Sequence, residues 1–176
     1  AITANAGVDT IDAGAGDDTI TMGANLTAAD SVIGGDGTDT MTLTTAGATT
    51  LGVTDIEVIT ATFGGAHTIA AATSSGITRF DNALTVAGQV VAVTGLNSTT
   101  FRNLDDDDTI SIDMAADAAL TFDARIVSTT TTTITDAQDV TIINGSAVNG
   151  ATNALALDAA DTNTLTVTGA SSAVTL

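Results

Sequence analysis

Apolar and polar residues alternate along most of this chain in short runs, separated by Gly, Asn, Asp and Ser. Thr19-Ile20-Thr21-Met22, Thr40-Met41-Thr42-Leu43 and Asp108-Thr109-Ile110-Ser111 show the pattern, with an apolar residue between polar neighbours. A two-residue period puts alternate side chains on opposite faces of a strand, so it predicts strands rather than helices. Strands are expected at 9–12, 18–21, 39–44, 56–62, 67–71, 77–80, 83–86, 90–94, 108–112, 119–122, 131–135, 139–143 and 164–168. Helical periodicity is weak throughout, and the Ala-rich stretch 113–119 is the one place with room for a short helical turn.

A longer period lies over the short one. Residues 34–42 read GGDGTDTMT and residues 13–21 read AGAGDDTIT. Both fit the nonapeptide G-G-x-G-x-D-x-U-x, in which U is a large apolar residue. The first keeps Gly34, Gly35, Gly37, Asp39 and Met41, and the second keeps Gly14, Gly16, Asp18 and Ile20. Two degenerate copies accompany them: 4–12 retains Gly7, Asp9 and Ile11, and 25–33 retains Asp30 and Val32. The glycines permit positive φ and close backbone approach, so successive carbonyls can turn toward one point. The Asp adds a carboxylate, and the residues after it form a short strand whose apolar member enters the core. Such oxygen donors suit Ca2+, a hard cation that takes roughly six to eight of them.

Asp9 and Asp30 lie 21 residues apart, as do Asp18 and Asp39. Two nonapeptides account for 18, and Met22, Gly23 and Ala24 supply the other three. One coil is therefore 21 residues long here, and Asp9 is expected beside Asp30 and Asp18 beside Asp39. The period returns after the glycine motif has ended: Phe80, Phe101 and Phe122 are spaced by 21, with Ile59 one step before and Ile143 one step after. These residues read as an interior ladder, each stacked on its equivalent in the next coil. The ladder is out of phase with the Asp pairs, so a slip is required between residues 42 and 59. The fold class that follows is all-β: a right-handed parallel β-helix or β-roll solenoid with coils of about 21 residues. Residues 1–44 are expected to form calcium-binding β-roll coils. Residues 45–176 are expected to continue them as β-helix coils of one solenoid, itself whole or a section of a longer array.

Composition sharpens this picture. Among 176 residues there is no Pro, no Cys, no Trp and no Tyr, and there are four Phe. Pro would remove a ladder donor from a stack of paired strands, and without Cys no disulfide holds the fold. The net charge is −18, with Arg79, Arg102 and Arg125 as the basic side chains besides one His. That charge opposes compaction, and it argues against nucleic acid as a partner, because phosphate binding needs basic patches. A bound divalent cation would relieve it. No apolar run is long enough to cross a bilayer, so membrane insertion is not expected. The start at Ala1, without Met or a signal pattern, fits a processed product, an excised fragment or export by a route that needs no N-terminal signal.

The first candidate calcium site lies between loops 13–18 and 34–39, with carboxylates from Asp18 and Asp39 and carbonyls around Gly14, Gly16, Gly35 and Gly37. A second would join loops 4–9 and 25–30 through Asp9 and Asp30, although residues 26–29 lack loop-opening glycines. The run 105–108 is four consecutive Asp. It reads either as a further calcium loop, with Asp108 in the consensus place and Asp106 assisting, or as a solvated acidic turn. His67, the single histidine, is expected to face solvent from a strand; a zinc enzyme needs more nitrogen or sulfur ligands than it offers. The three Arg recur every 23 residues, so they could line one face and pair with Asp. No Ser/His/Asp arrangement and no phosphate loop is evident, and no enzyme activity is expected.

GGDGTDTMT and AGAGDDTIT resemble the RTX family of secreted calcium-binding proteins, and Val53 to Thr60, VTDIEVIT, resembles a phrase of large RTX-containing bacterial surface-layer proteins. The motif likeness covers residues 4–62. The resemblance implies export by a type I secretion system, folding on external calcium and homo-oligomeric assembly into a cell-surface S-layer lattice or filament, with a cell-surface polysaccharide as anchor. Two other roles fit the same repeats: a section of an RTX adhesin, and the β-roll tail of a secreted hydrolase or lyase.

Overall fold

The computed structural model describes residues 1–44, 47–83, 89–103, 109–124, 131–143, 154–157 and 164–168. These residues contain sixteen strands and no helix. In chain order they are β1 (Ile2–Thr3), β2 (Thr10–Asp12), β3 (Thr19–Gly23), β4 (Ser31–Ile33), β5 (Thr40–Leu43), β6 (Gly47–Thr50), β7 (Val53–Thr54) and β8 (Val58–Ala61). There follow β9 (His67–Ala70), β10 (Arg79–Asn82), β11 (Val90–Leu96), β12 (Thr99–Asn103), β13 (Thr109–Ala124), β14 (Thr131–Ile143), β15 (Ala154–Leu157) and β16 (Thr164–Thr168). Every pairing between them is parallel, and the chain winds as a β-solenoid.

Three faces are built. The first runs β1-β3-β5-β8-β10-β12 and continues through the second halves of β13 and β14 to β16. The second is the short sheet β2-β4-β7. The third begins at β6 and runs through β9 and β11 to the first halves of β13 and β14 and then β15. β13 and β14 belong to two faces because each bends at its middle without breaking. The helical turn allowed for 113–119 is therefore not formed; that stretch stays in β13 and carries the chain around a corner. Ala is small enough to turn the corner in extended form, and the ladder is taken up again on the far side at Ala118 and Ala119.

The core is a stack of inward positions. Along the first face Ile20, Met41, Ile59, Phe80, Phe101 and Phe122 are paired in register, one per coil, and all are buried. The Phe80 and Phe101 rings are stacked with centroids 5.4 Å apart, and Phe101 and Phe122 with centroids 5.8 Å apart. The ladder expected from the 21-residue period is therefore present from Ile59 to Phe122. Its next member is Ile142 rather than Ile143. Residues 114–117 of β13 stand opposite Asp136 alone in β14, and Gln138 is the one extra residue of β14 between the pairs Ala118–Ala137 and Ala119–Asp139, so the step from coil to coil falls from 22 at Asp113–Thr135 to 20 at Phe122–Ile142. Asp136 takes φ 58°, as a tight corner demands.

The slip expected between residues 42 and 59 also has a location. Val32 pairs with Val53, a step of 21, whereas Thr40 pairs with Val58, a step of 18. The difference lies in the connection between those strands: the six-residue loop 34–39 is followed, one coil on, by the three-residue corner Asp55-Ile56-Glu57. Alternation alone does not predict β1, β4, β6, β7, β12 or β15, and most of the strand expected at 83–86 lies outside the described residues.

Candidate metal centre

Loops 13–18 and 34–39 lie one above the other. Asp36 N–H donates to the Gly14 carbonyl at 3.0 Å, and Gly16 N–H donates to the Asp36 carbonyl at 2.7 Å. Thr38 N–H donates to Asp17 Oδ1 at 2.8 Å, and Thr40 N–H to the Asp18 carbonyl at 2.9 Å. Such contact needs glycine. Gly35 and Gly37 have φ of 101° and 143°, and a Cβ on Gly37 would sit 2.6 Å from the Gly16 carbonyl oxygen. Gly14 and Gly16, at φ 90° and 108°, have the same backbone form. All six residues named for the first site are thus in one double loop.

The two Asp of this pair play unequal parts. Asp39 is wholly buried, and its Oδ1 accepts from Asp18 N–H at 2.8 Å. Its own N–H donates to Glu57 Oε2 at 2.7 Å. The carboxylates thus form a ladder in which each caps the amide one coil before it, and the longer Glu57 closes the ladder where the coil shortens. Sequence reasoning did not single out Glu57. Its signal was the 18-residue step from Asp39, which becomes readable only once the slip is placed. Asp39 Oδ2 is buried without a hydrogen-bond partner. A buried, unmatched carboxylate oxygen is costly, because desolvation is not repaid.

Asp9 and Asp30 are also neighbours, with Asp9 N–H donating to Asp30 Oδ1 at 2.8 Å. Here the outer Asp is fully engaged: Asp30 Oδ2 accepts from Thr27 N–H and from Thr27 Oγ1 at 3.1 Å. The N–H of Asp9 does most to hold the Asp30 carboxyl below its ordinary pKa, burial pushes the other way, and the Thr27 amide and hydroxyl add to the lowering. Thr27 does in loop 25–30 what glycines would have done for an open loop, because it ties the Asp to its own turn. The spare buried oxygen of this pair is Asp9 Oδ2. Asp106 and Asp108 lie outside the described residues.

Among the described residues no three His, Asp or Glu side chains gather closely enough to hold an ion by themselves. A cation at loops 13–18 and 34–39 would therefore draw most of its oxygens from the backbone, which is the donor set a hard ion accepts. The residues fit Ca2+ in this respect: a glycine double loop, two carboxylates and one buried oxygen, Asp39 Oδ2, with no partner.

His67 does not face solvent as expected. It is 4% exposed, packs against Phe63 with ring centroids 3.6 Å apart, and lies 3.3 Å through Nδ1 from the Gly65 carbonyl. It shares its face of β9 with Ile69, two residues on, so the strand period carries it into the core with that neighbour. Burial depresses its pKa to about 4, with the Gly65 contact opposing. Arg79 and Arg102 share the first face and pair with Asp, as the 23-residue spacing allowed. Arg125 is outside the described residues.

No helix among the described residues is long and apolar enough to cross a membrane. The geometry defines a parallel β-solenoid with an acidic, glycine-lined double loop along one corner. The chain matches no protein-family model, no curated protein and no solved structure.

Proposed function

We propose that this chain is a structural protein of a cell surface, secreted and folded by external Ca2+, which self-assembles into an S-layer lattice or filament. The observation that carries this reading is the buried, unpartnered Oδ2 of Asp39 within the stacked loops 13–18 and 34–39. A cation beside it would satisfy the one oxygen of this carboxylate that lacks a hydrogen bond, in a chain of net charge −18. Binding that requires the folded loops becomes folding free energy, and a ligand at a hundred times its Kd contributes about 2.7 kcal/mol. Low calcium inside a cell then keeps the chain loose enough for type I export, and high calcium outside closes the coils. A solenoid leaves a bare strand edge at each end, which favours addition of further copies. A surface polysaccharide is the expected anchor. No catalytic role is assigned: the sole His is in the core, and Asp30, Asp39 and Glu57 cap backbone amides one coil away.

The test is one calcium titration followed by circular dichroism and light scattering, with chelator added at the end. A β signal and large particles that appear together with calcium and vanish with chelator are expected. A β signal without particles would replace the assembler with a calcium-folded adhesin section or enzyme tail. No response to calcium in either signal would refute the metal reading of loops 13–18 and 34–39.

A further inference from the structure

The outward side of the first face differs from the acidic corner beside it. One outward column holds Thr21, Thr42 and Thr60 in β3, β5 and β8, and then Asp81, Arg102 and Asp123 in β10, β12 and β13. Arg79, on the next column, donates through Nε to Asp81 Oδ2 at 3.1 Å. Arg102 lies 3.5 Å from Asp81 and 3.7 Å from Asp123. The side chains of Arg79 and Arg102 stay 43% and 35% exposed. Two Arg and two Asp cancel, so this patch is neutral within a chain of charge −18, and it holds both Arg of the described residues.

We infer that the outward side of the first face is the surface on which a second copy of this chain packs, an inference that rests on the assembly reading above. Two strongly acidic chains repel wherever their net charge faces its like. They approach most readily through a patch with none. Asp81 is buried beneath the two Arg, whereas the side chains of Arg102 and Asp123, 35% and 32% exposed, stand one coil apart with opposite sign, so this pair is complementary to itself. When two copies meet about a two-fold axis, Arg102 of each lies against Asp123 of the other, an isologous contact. Most of the remaining outward positions from β3 to β12 hold short Thr side chains, with Val58 among them, and these lose little rotamer freedom on contact; Asp139 of β14 adds one negative charge at the margin. Nine strands about 4.8 Å apart, each about four residues long, give a face of roughly 500 Å2 per copy, or about 1,000 Å2 in all. That is the lower bound for a specific interface, so a single pair is weak and a repeated contact is strong. Such a contact suits a lattice.

The absence of Cys makes the test direct. Thr100→Cys places one thiol on this face, and Ser111→Cys places one on the third face. In calcium, a short bismaleimide is expected to link Thr100→Cys copies about tenfold more than Ser111→Cys copies. Arg102→Glu in the Thr100→Cys background, which puts like charges together, is expected to cut that yield about tenfold with the β signal retained. Arg102→Gln, which removes the charge without reversing it, serves as the milder second variant and is expected to fall between. Particles that form in calcium with equal linking from both faces, or with no effect of either Arg102 variant, would overturn the surface and leave assembly standing. Absence of particles in the parent chain would overturn assembly and the surface with it.

Discussion

Phe101 is the middle ring of a three-ring stack, and its removal separates packing from stacking. It is fully buried, with Phe80 5.4 Å away at an interplanar angle of 5° and Phe122 5.8 Å away at 17°. Truncation of a buried Phe to Ala costs about 3–5 kcal/mol, through lost transfer free energy and the cavity left behind. Each offset-stacked pair adds about 0.5–1.5 kcal/mol. Phe101→Ala loses two such pairs, and Phe80→Ala and Phe122→Ala lose one each. Phe101→Ala is therefore expected near the top of the range, and the other two about 1 kcal/mol below it. Urea unfolding in buffer containing Ca2+, followed by circular dichroism, gives the three values. A double-mutant cycle on Phe80 and Phe101 is expected to show coupling of about 0.5–1.5 kcal/mol, while one on Phe80 and Phe122, two coils apart, is expected to be additive within about 0.5 kcal/mol. Hydrogen exchange in each variant is expected to rise mainly in β10, β12 and β13, because a coil is supported by its neighbours alone. A loss of about 1 kcal/mol or less for Phe101→Ala, or equal coupling in the two cycles, would refute the ladder as a source of stability.

His67 has a folded pKa of about 4 against 6.5 for a free side chain. The unfolded chain therefore takes up its proton first: the neutral core is undisturbed above pH 6.5, and stability falls as pH drops toward 4, by up to about 3 kcal/mol. The difference in urea midpoint between the parent and His67→Leu, measured from pH 7 to pH 4, is expected to follow that slope; a constant difference would show that His67 is solvated. Gly37→Ala forces a side chain onto φ 143° against the Gly16 carbonyl and is expected to cost about 1–3 kcal/mol. Gly64→Ala, in open space at an ordinary φ, is expected to stay within about 0.5 kcal/mol of the parent in the same unfolding assay. Asp39→Asn is expected to raise the calcium midpoint about tenfold, because it removes the charge at the unpartnered oxygen. Asp30→Asn, which instead spoils three hydrogen bonds, is expected to lower stability by about 1–3 kcal/mol both with calcium and with chelator. Equal calcium midpoints for the two Asn variants would remove the distinction between the two loop pairs.

The solenoid was legible in the sequence because an inward residue packs on its own equivalent, so the coil length is written as a repeat of large apolar residues. Phe80, Phe101 and Phe122 gave the period, and the Asp pairs gave the corner. What escaped was decided by corners rather than strands. The loop 34–39 and the corner 55–57 do the same turning with different numbers of residues, and nothing local to either says which length the next coil takes. Ile142 replaced Ile143 for the same reason, at Asp136. β6 opens a third face with Gly47-Ala48-Thr49-Thr50, a run with no large apolar residue to announce it. His67 was readable by period, two residues before Ile69, but its polarity argued for solvent. Its environment, beneath Phe63, is set by a contact the alternation does not encode. For the stacked loops, the neighbouring Asp were foreseen and their inequality was not. That one Asp30 is tied by Thr27 while Asp39 keeps an oxygen to spare depends on where each loop folds back on itself.

The first face is a ladder in which each strand is bonded only to the strands beside it. A load applied across the coils, along the strands, is carried by all the rungs of a pair at once, and the pair must shear. A load along the solenoid axis falls on one junction at a time, and the coils peel in sequence from the nearest end. The fold is thus strong in two directions and compliant in the third. A layer that sets the axis normal to its plane would resist stretching in that plane, and one that lays the axis flat would extend.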